Sequence, residues 1–174
     1  AAHSALELFG FNHYVPMGKP RLMVAFKNGN VDDWVRCEKY DMTIVPFHTG
    51  IFKNPATQSL DRNGLSLILS SPEQAFLECL HLVPDHYNYM HLYYIMEQLT
   101  SLDPDKVQIA LENTSSQRVK RMFLYMAEKA GHYWFDMLDM DKFGLTTSKL
   151  QLVDNGVYIS KYRINVPKEL NVYE

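Results

Sequence analysis

The residues of this 174-residue chain best placed to do chemistry are cations. Between Ser115 and His132 lie Arg118, Lys120, Arg121 and Lys129, against a single acid, Glu128. In the same stretch Val119, Met122, Phe123, Met126, Ala127 and Ala130 recur at the spacing of one helix face. The segment reads as an amphipathic helix that anchors a core and turns a cationic edge outward. Such an edge offers charge-assisted hydrogen bonds to phosphate. A second excess lies near the end of the chain, Lys149, Lys161, Arg163 and Lys168 against Asp154 and Glu169. Between the two runs is an acidic patch, Asp136, Asp139 and Asp141.

Other chemistries find less support. His81, His86 and His91 recur every five residues, which turns neighbours about 140° apart on a helix, and Pro84 interrupts them. There is no His-x3-His pair, and Glu78 with His81 forms one Glu-x-x-His where a di-metal bundle needs two. No metal site and no cofactor are expected. Glycine-rich phosphate loops and a Gly-x-Ser-x-Gly elbow are absent. Cys79 sits beside Phe76, Leu80 and Val83 as a core residue, and Asp103 with Asp105 reads as helix capping. No catalytic residue emerges, and the expectation is a protein that is not an enzyme. Tyr87, Tyr89, Tyr93 and Tyr94, with Tyr133-Trp134-Phe135, could stack on bases but fit half-buried packing better.

The net charge of −3 and pI of about 6.2 argue against a protein that coats nucleic acid, whose domain pI usually exceeds about 9. No apolar run approaches a membrane span, and Cys37 and Cys79 share no metal-like spacing, so the sequence reads as cytoplasmic.

These side chains need a scaffold, and its middle is well punctuated. Ser71-Pro72-Glu73-Gln74 opens a helix running to about His81. Others are expected over Tyr89 to Leu99, from the Asp103 cap to Glu112, and from Ser115 to Ala130, closed by Gly131. Tyr133 to Met140 adds a short one. Tyr14–Met17, Arg21–Phe26, Met42–Phe47 and Leu65–Leu69 read as extended, Asn28-Gly29-Asn30 as a turn, Val31–Glu38 as a short helix, and the polar stretch from Asn54 to Gly64 as a connection. Asp154-Asn155-Gly156 predicts a hairpin joining Lys149–Val153 to Val157–Ile159, with a bulge near Ser160-Lys161. The expected class is α+β, a mostly antiparallel sheet of N- and C-terminal strands packed against a central run of four to five helices. The first helix, Ala2 to Phe9, follows directly on Ala1 without a cap, which suggests a fragment of a longer protein.

Several blocks, in order, resemble the AbiEi family, antitoxins of abortive-infection type IV toxin–antitoxin systems. They are residues 4–10 and 13–18, Ser71-Pro72-Glu73-Gln74-Ala75-Phe76-Leu77-Glu78, Val119-Lys120-Arg121-Met122-Phe123-Leu124-Tyr125 with Ala127-Glu128-Lys129-Ala130-Gly131-His132, Asn155-Gly156-Val157-Tyr158-Ile159 and Val166-Pro167-Lys168-Glu169-Leu170. The resemblance implies that residues 1–174 form a single antitoxin-like domain, without the winged helix-turn-helix that binds promoter DNA in the full-length protein. It implies a regulator that represses its own promoter and neutralises a nucleotidyltransferase-like toxin without needing a stable complex. It also implies a positive surface facing DNA or RNA, formed by Arg118, Lys120, Arg121 and Lys129 with Lys161, Arg163 and Lys168 in support. A protein-interaction module docking through an aromatic surface is the alternative, and an unrecognised enzyme acting on nucleic acid a third.

Overall fold

Ten residues with a proline, a cap and a glutamine at the right places begin the central layer. In this computed structural model, which describes residues 1–11, 18–27, 30–31, 35 and 41–173, that segment is helix α2, Pro72–His81. The Ser71 hydroxyl accepts from the Gln74 amide at 3.3 Å, as the capping pattern predicts. Around it the chain order is α1 (Ala2–Leu8), β1 (Arg21–Phe26), β2 (Thr43–His48), β3 (Thr57–Arg62), β4 (Leu65–Ser70), α2, α3 (Tyr89–Met96), α4 (Pro104–Glu112) and α5 (Gln117–Lys129). Two 3-10 turns follow, Tyr133–Met137 and Met140–Phe143. Then come β5 (Leu150–Gln151), β6 (Val157–Ile159), β7 (Ile164–Val166) and α6 (Lys168–Val172). The fold is α+β, as expected. The piece at Tyr14–Met17, the Asn28-Gly29 turn, most of the Val31–Glu38 helix and Cys37 lie outside the described residues.

The strands do not form one mostly antiparallel sheet. Among the described residues they make three small ones: β1 with β2, parallel; β3 with β4, antiparallel; and β5-β7-β6, in which β5 runs parallel and β6 antiparallel to β7. The polar stretch read as a connection supplies β3, joined to β4 by Asn63 and Gly64, both at positive φ. This ribbon stands largely clear of the core. Leu60 faces Leu67 across it, and Leu65 and Ile68 are 67% and 79% exposed.

The expected hairpin between β5 and β6 is also corrected. The two strands lie on opposite sides of β7, and the real hairpin is β6–β7, turned through 160–163 with Arg163 at φ 52°. That turn, rather than a bulge, shifts the apolar phase. The Asn165 side chain takes over where β5 would have continued: its Oδ1 accepts from Leu152 N at 2.7 Å and its Nδ2 donates to Val153 O at 2.6 Å. Gly156 is needed for closeness rather than for its own dihedral. A Cβ there would sit 2.4 Å from the Val166 carbonyl oxygen.

The core lies between α2 and α5. Phe76 and Phe123 meet edge to face at 5.8 Å, and Phe123 contacts Trp134 at 6.0 Å. Trp134 donates its indole N–H to Leu99 O at 2.9 Å, so its burial leaves no polar atom unmet. Cys79 is buried and free, as expected of a core residue. Helix α1 has no local cap because its first amide finds a distant one: Ala2 N donates to the Glu78 carboxylate on α2 at 2.8 Å. Glu78 also accepts from Ser70 Oγ at 3.0 Å and Gln74 Nε2 at 3.2 Å.

Burial raises the pKa of Glu78 above its usual 4.5, although these hydrogen bonds and the Ala1 ammonium pull the other way. A folded-state value above the unfolded one means stability that is complete below about pH 4.5 and lost as pH rises through the folded pKa. Glu78→Gln should remove that component. Urea midpoints measured between acid and neutral pH will then fall less steeply for the variant than for the wild type. Parallel profiles would show that another group governs the slope.

Candidate nucleic-acid interface

Helix α5 positions four of the seven cations singled out in the sequence. Its N-cap is Ser116, whose hydroxyl accepts from Val119 N at 3.4 Å, and Gly131 at φ 68° closes it. Every residue from Val119 to Ala127 is buried. The cationic edge expected on the outside therefore turns inward at Lys120 and Arg121, which are 7% and 1% exposed.

Buried charges need strong acceptors, and backbone carbonyls provide them. Lys120 Nζ donates to Phe143 O at 2.7 Å. Arg121 donates to Ser148 O at 2.7 Å, to Thr146 Oγ1 at 2.5 Å, to the Thr146 carbonyl, and more distantly to Arg163 O at 3.5 Å. Burial lowers the pKa of both groups, with Lys53 adding to the effect on Lys120 and Arg163 to that on Arg121. Arg121 nevertheless stays protonated, as arginine does in proteins. Arg118, half-buried, donates to Val83 O at 2.6 Å and His81 O at 2.9 Å. Lys129 donates to the Asn171 and Tyr173 carbonyls at the end of α6 and lies 5.7 Å from the Tyr93 ring centroid. Among the described residues none of these four forms an ion pair with a carboxylate.

The second group stands at the surface. Lys161 pairs with Glu128 while keeping 57% of its side chain exposed, and the Tyr162 hydroxyl donates to the same carboxylate at 2.9 Å. Arg163 is exposed and donates to Thr147 O at 2.5 Å. Lys168 is exposed in the first turn of α6. Lys149 lies beside Arg163, since Leu150 N donates to Arg163 O at 2.9 Å. Its ammonium sits 5.3 Å from the ring centroid of Tyr158, which is 43% exposed. Tyr158 is the aromatic that sequence reasoning missed. Its strand position could be read, but not its place next to Lys149. The two basic segments do meet, through Arg121 against Arg163 and through Glu128 against Lys161 and Tyr162.

The aromatics that could stack on bases are mostly structural. Tyr89, Tyr93 and Trp134 are buried, Tyr87, Tyr94 and Phe135 half-buried, and only Tyr133 of that set is well exposed. In the intervening patch Asp139 caps and pairs locally: it accepts from Asp141 N at 3.2 Å and pairs with Lys142 at 3.2 Å. Among the described residues no group of three or more His, Cys, Asp or Glu could hold a metal ion, and no helix is long and apolar enough to cross a membrane.

The family of transcriptional regulators described as AbiEi antitoxins of type IV toxin–antitoxin systems matches residues 22–167. The chain belongs to the AbiEi family. The match spans α5, all of the C-terminal sheet and every cation of the two basic segments except Lys168. No curated protein and no solved structure matches this AbiEi-family chain.

That geometry divides the seven cations by task. Arg121→Gln strands the Thr146 and Ser148 carbonyls and should lower unfolding stability by about 3 kcal/mol. Lys168→Gln, which removes an exposed charge, should stay within about 0.5 kcal/mol of the wild type. Denaturant titration of the two variants checks the division, and equal stabilities would refute it.

Proposed function

We propose that this chain is the antitoxin-bearing part of a regulator that represses its own promoter and neutralises a nucleotidyltransferase-like toxin. It acts without catalysis of its own and without a requirement for a stable toxin complex. In the full-length protein a winged helix-turn-helix reads the promoter, and this domain adds phosphate contacts to DNA or RNA.

The observation that carries the reading is the meeting of two cation-rich segments around the β5–β7 pairing. There Lys149 and Arg163 stand side by side, with Tyr158 against Lys149 and Lys161 on the adjoining turn. Cations with an exposed aromatic among them can hold phosphate and stack on a base. Arg121 and Lys129 support the same surface from beneath, through the Thr146 and Ser148 carbonyls before β5 and the Asn171 and Tyr173 carbonyls at the end of α6, while Arg118 and Lys120 tie α5 to His81, Val83 and Phe143. Lys168 extends the surface beyond the far end of β7. The net charge of −3 keeps sequence-independent attraction weak, which suits a domain that assists a separate reader.

Binding to a fluorescent promoter duplex and to a structured RNA, followed between about 50 and 200 mM salt, tests this reading. Each phosphate contact contributes about 0.9 to the slope of log affinity against log salt. Lys149→Gln, Arg163→Gln and Lys168→Gln combined should reduce the slope by up to about 2.7 and weaken binding uniformly across sequences. A slope equal to that of the wild type would refute the assigned surface. Co-expression of the toxin with the same variant reads out neutralisation separately.

A further inference from the structure

A cavity of about 330 Å³ opens between α1, the start of β1 and the loop joining α2 to α3, away from the basic surface just described. Its charge is unusual for a chain that is acidic overall. Arg21, the first residue of β1, lines it with Lys19 two positions earlier. Arg21 Nη2 lies 3.2 Å from His86 Nδ1. A guanidinium can only donate, so Nδ1 is the acceptor and the His86 proton resides on Nε2, which remains a donor.

The wall also carries one acid, Glu7. Glu7 sits 3.4 Å from His3 Nδ1, and burial raises its pKa. Burial, and then Arg21, lowers the pKa of His3, so the fixed positive charge in the cavity is that of Arg21 and Lys19. Lys19 is held only loosely, 4.0 Å from a nearly fully exposed Asp41. Arg21 has no carboxylate partner among the described residues. The histidines do not make this a metal site, since no ligating group of three is present among the described residues. What they add to two cations is a hydrogen-bond donor, the combination that anionic oxygens require. The Tyr87 ring and Met23 supply apolar wall, and the volume suits a small organic ligand rather than a polymer backbone.

We propose that this cavity binds a small phosphate monoester, with its phosphate between Arg21, Lys19 and His86. The proposal is independent of the nucleic-acid reading and uses none of its residues.

Calorimetric titration with adenosine 5′-monophosphate and with inorganic phosphate, at constant ionic strength set by chloride, tests it. Both should bind saturably, the ester more tightly. Arg21→Gln removes a charge-assisted contact and should weaken both by roughly tenfold or more. Arg21 is exposed at a strand end, so an unchanged thermal midpoint will confirm that the variant is folded. Lys106→Gln, on the exposed side of α4, should bind like the wild type. Absence of saturation by about 10 mM, or equal affinity in Arg21→Gln, would overturn the site. Equal affinity for phosphate and the ester would overturn the ester in favour of the free anion.

Discussion

Enclosure of α5 is the constraint from which most of this structure follows. Nine consecutive residues, Val119 to Ala127, are buried, so the helix is wrapped on all sides rather than laid on a core by one face. Two of the nine are cations. A buried ammonium and a buried guanidinium need acceptors, and the segment that follows the helix supplies carbonyl oxygens to the Lys120 ammonium and to both terminal nitrogens of Arg121. Phe143, Thr146 and Ser148 are drawn across α5 in this way, and the start of β7 is drawn in with them. The C-terminal sheet is short, its strands two or three residues long. Its position owes more to these ties than to its own ladder.

Where the structure is set by neighbours in sequence, the sequence revealed it. The Ser71 cap, the Asp103 cap and the Gly131 stop all act where their residue types place them. Strand β1 has its expected bounds. The failures share a cause, which is that the deciding partner lies far away in the chain. Helix α1 shows no cap because its cap is Glu78, 76 residues on. Strand β3 carries polar residues on a ribbon that is mostly exposed, so no alternation marks it. The β5–β6 hairpin was suggested by a good turn signal, but Asn165 satisfies the backbone that the hairpin would have used. The cations of α5 were visible as charges. Whether they faced water or carbonyls depended on a loop folding back over them.

That division explains how an acidic protein can maintain a basic surface. Arg121 repels Arg163, yet the carbonyls it takes from Thr146 and Ser148 hold the segment beside Arg163 in place. The backbones of Lys149 and Arg163 are kept close by the hydrogen bond from Leu150 N to Arg163 O at the start of the β5–β7 pairing. A surface ordered in this way loses little freedom on binding.

The β3–β4 ribbon carries a different kind of consequence. Among the described residues both of its outer edges lack a strand neighbour, and Leu65 and Ile68 stand in solvent beside them. Open edges with aliphatic side chains are templates for adding further strands, the first step of aggregation. Asp61 and Arg62, both exposed next to the Asn63-Gly64 turn, put opposite charges at the tip where such growth would start. Two residues with no part in any site thus place charge where another strand would have to pair with β3.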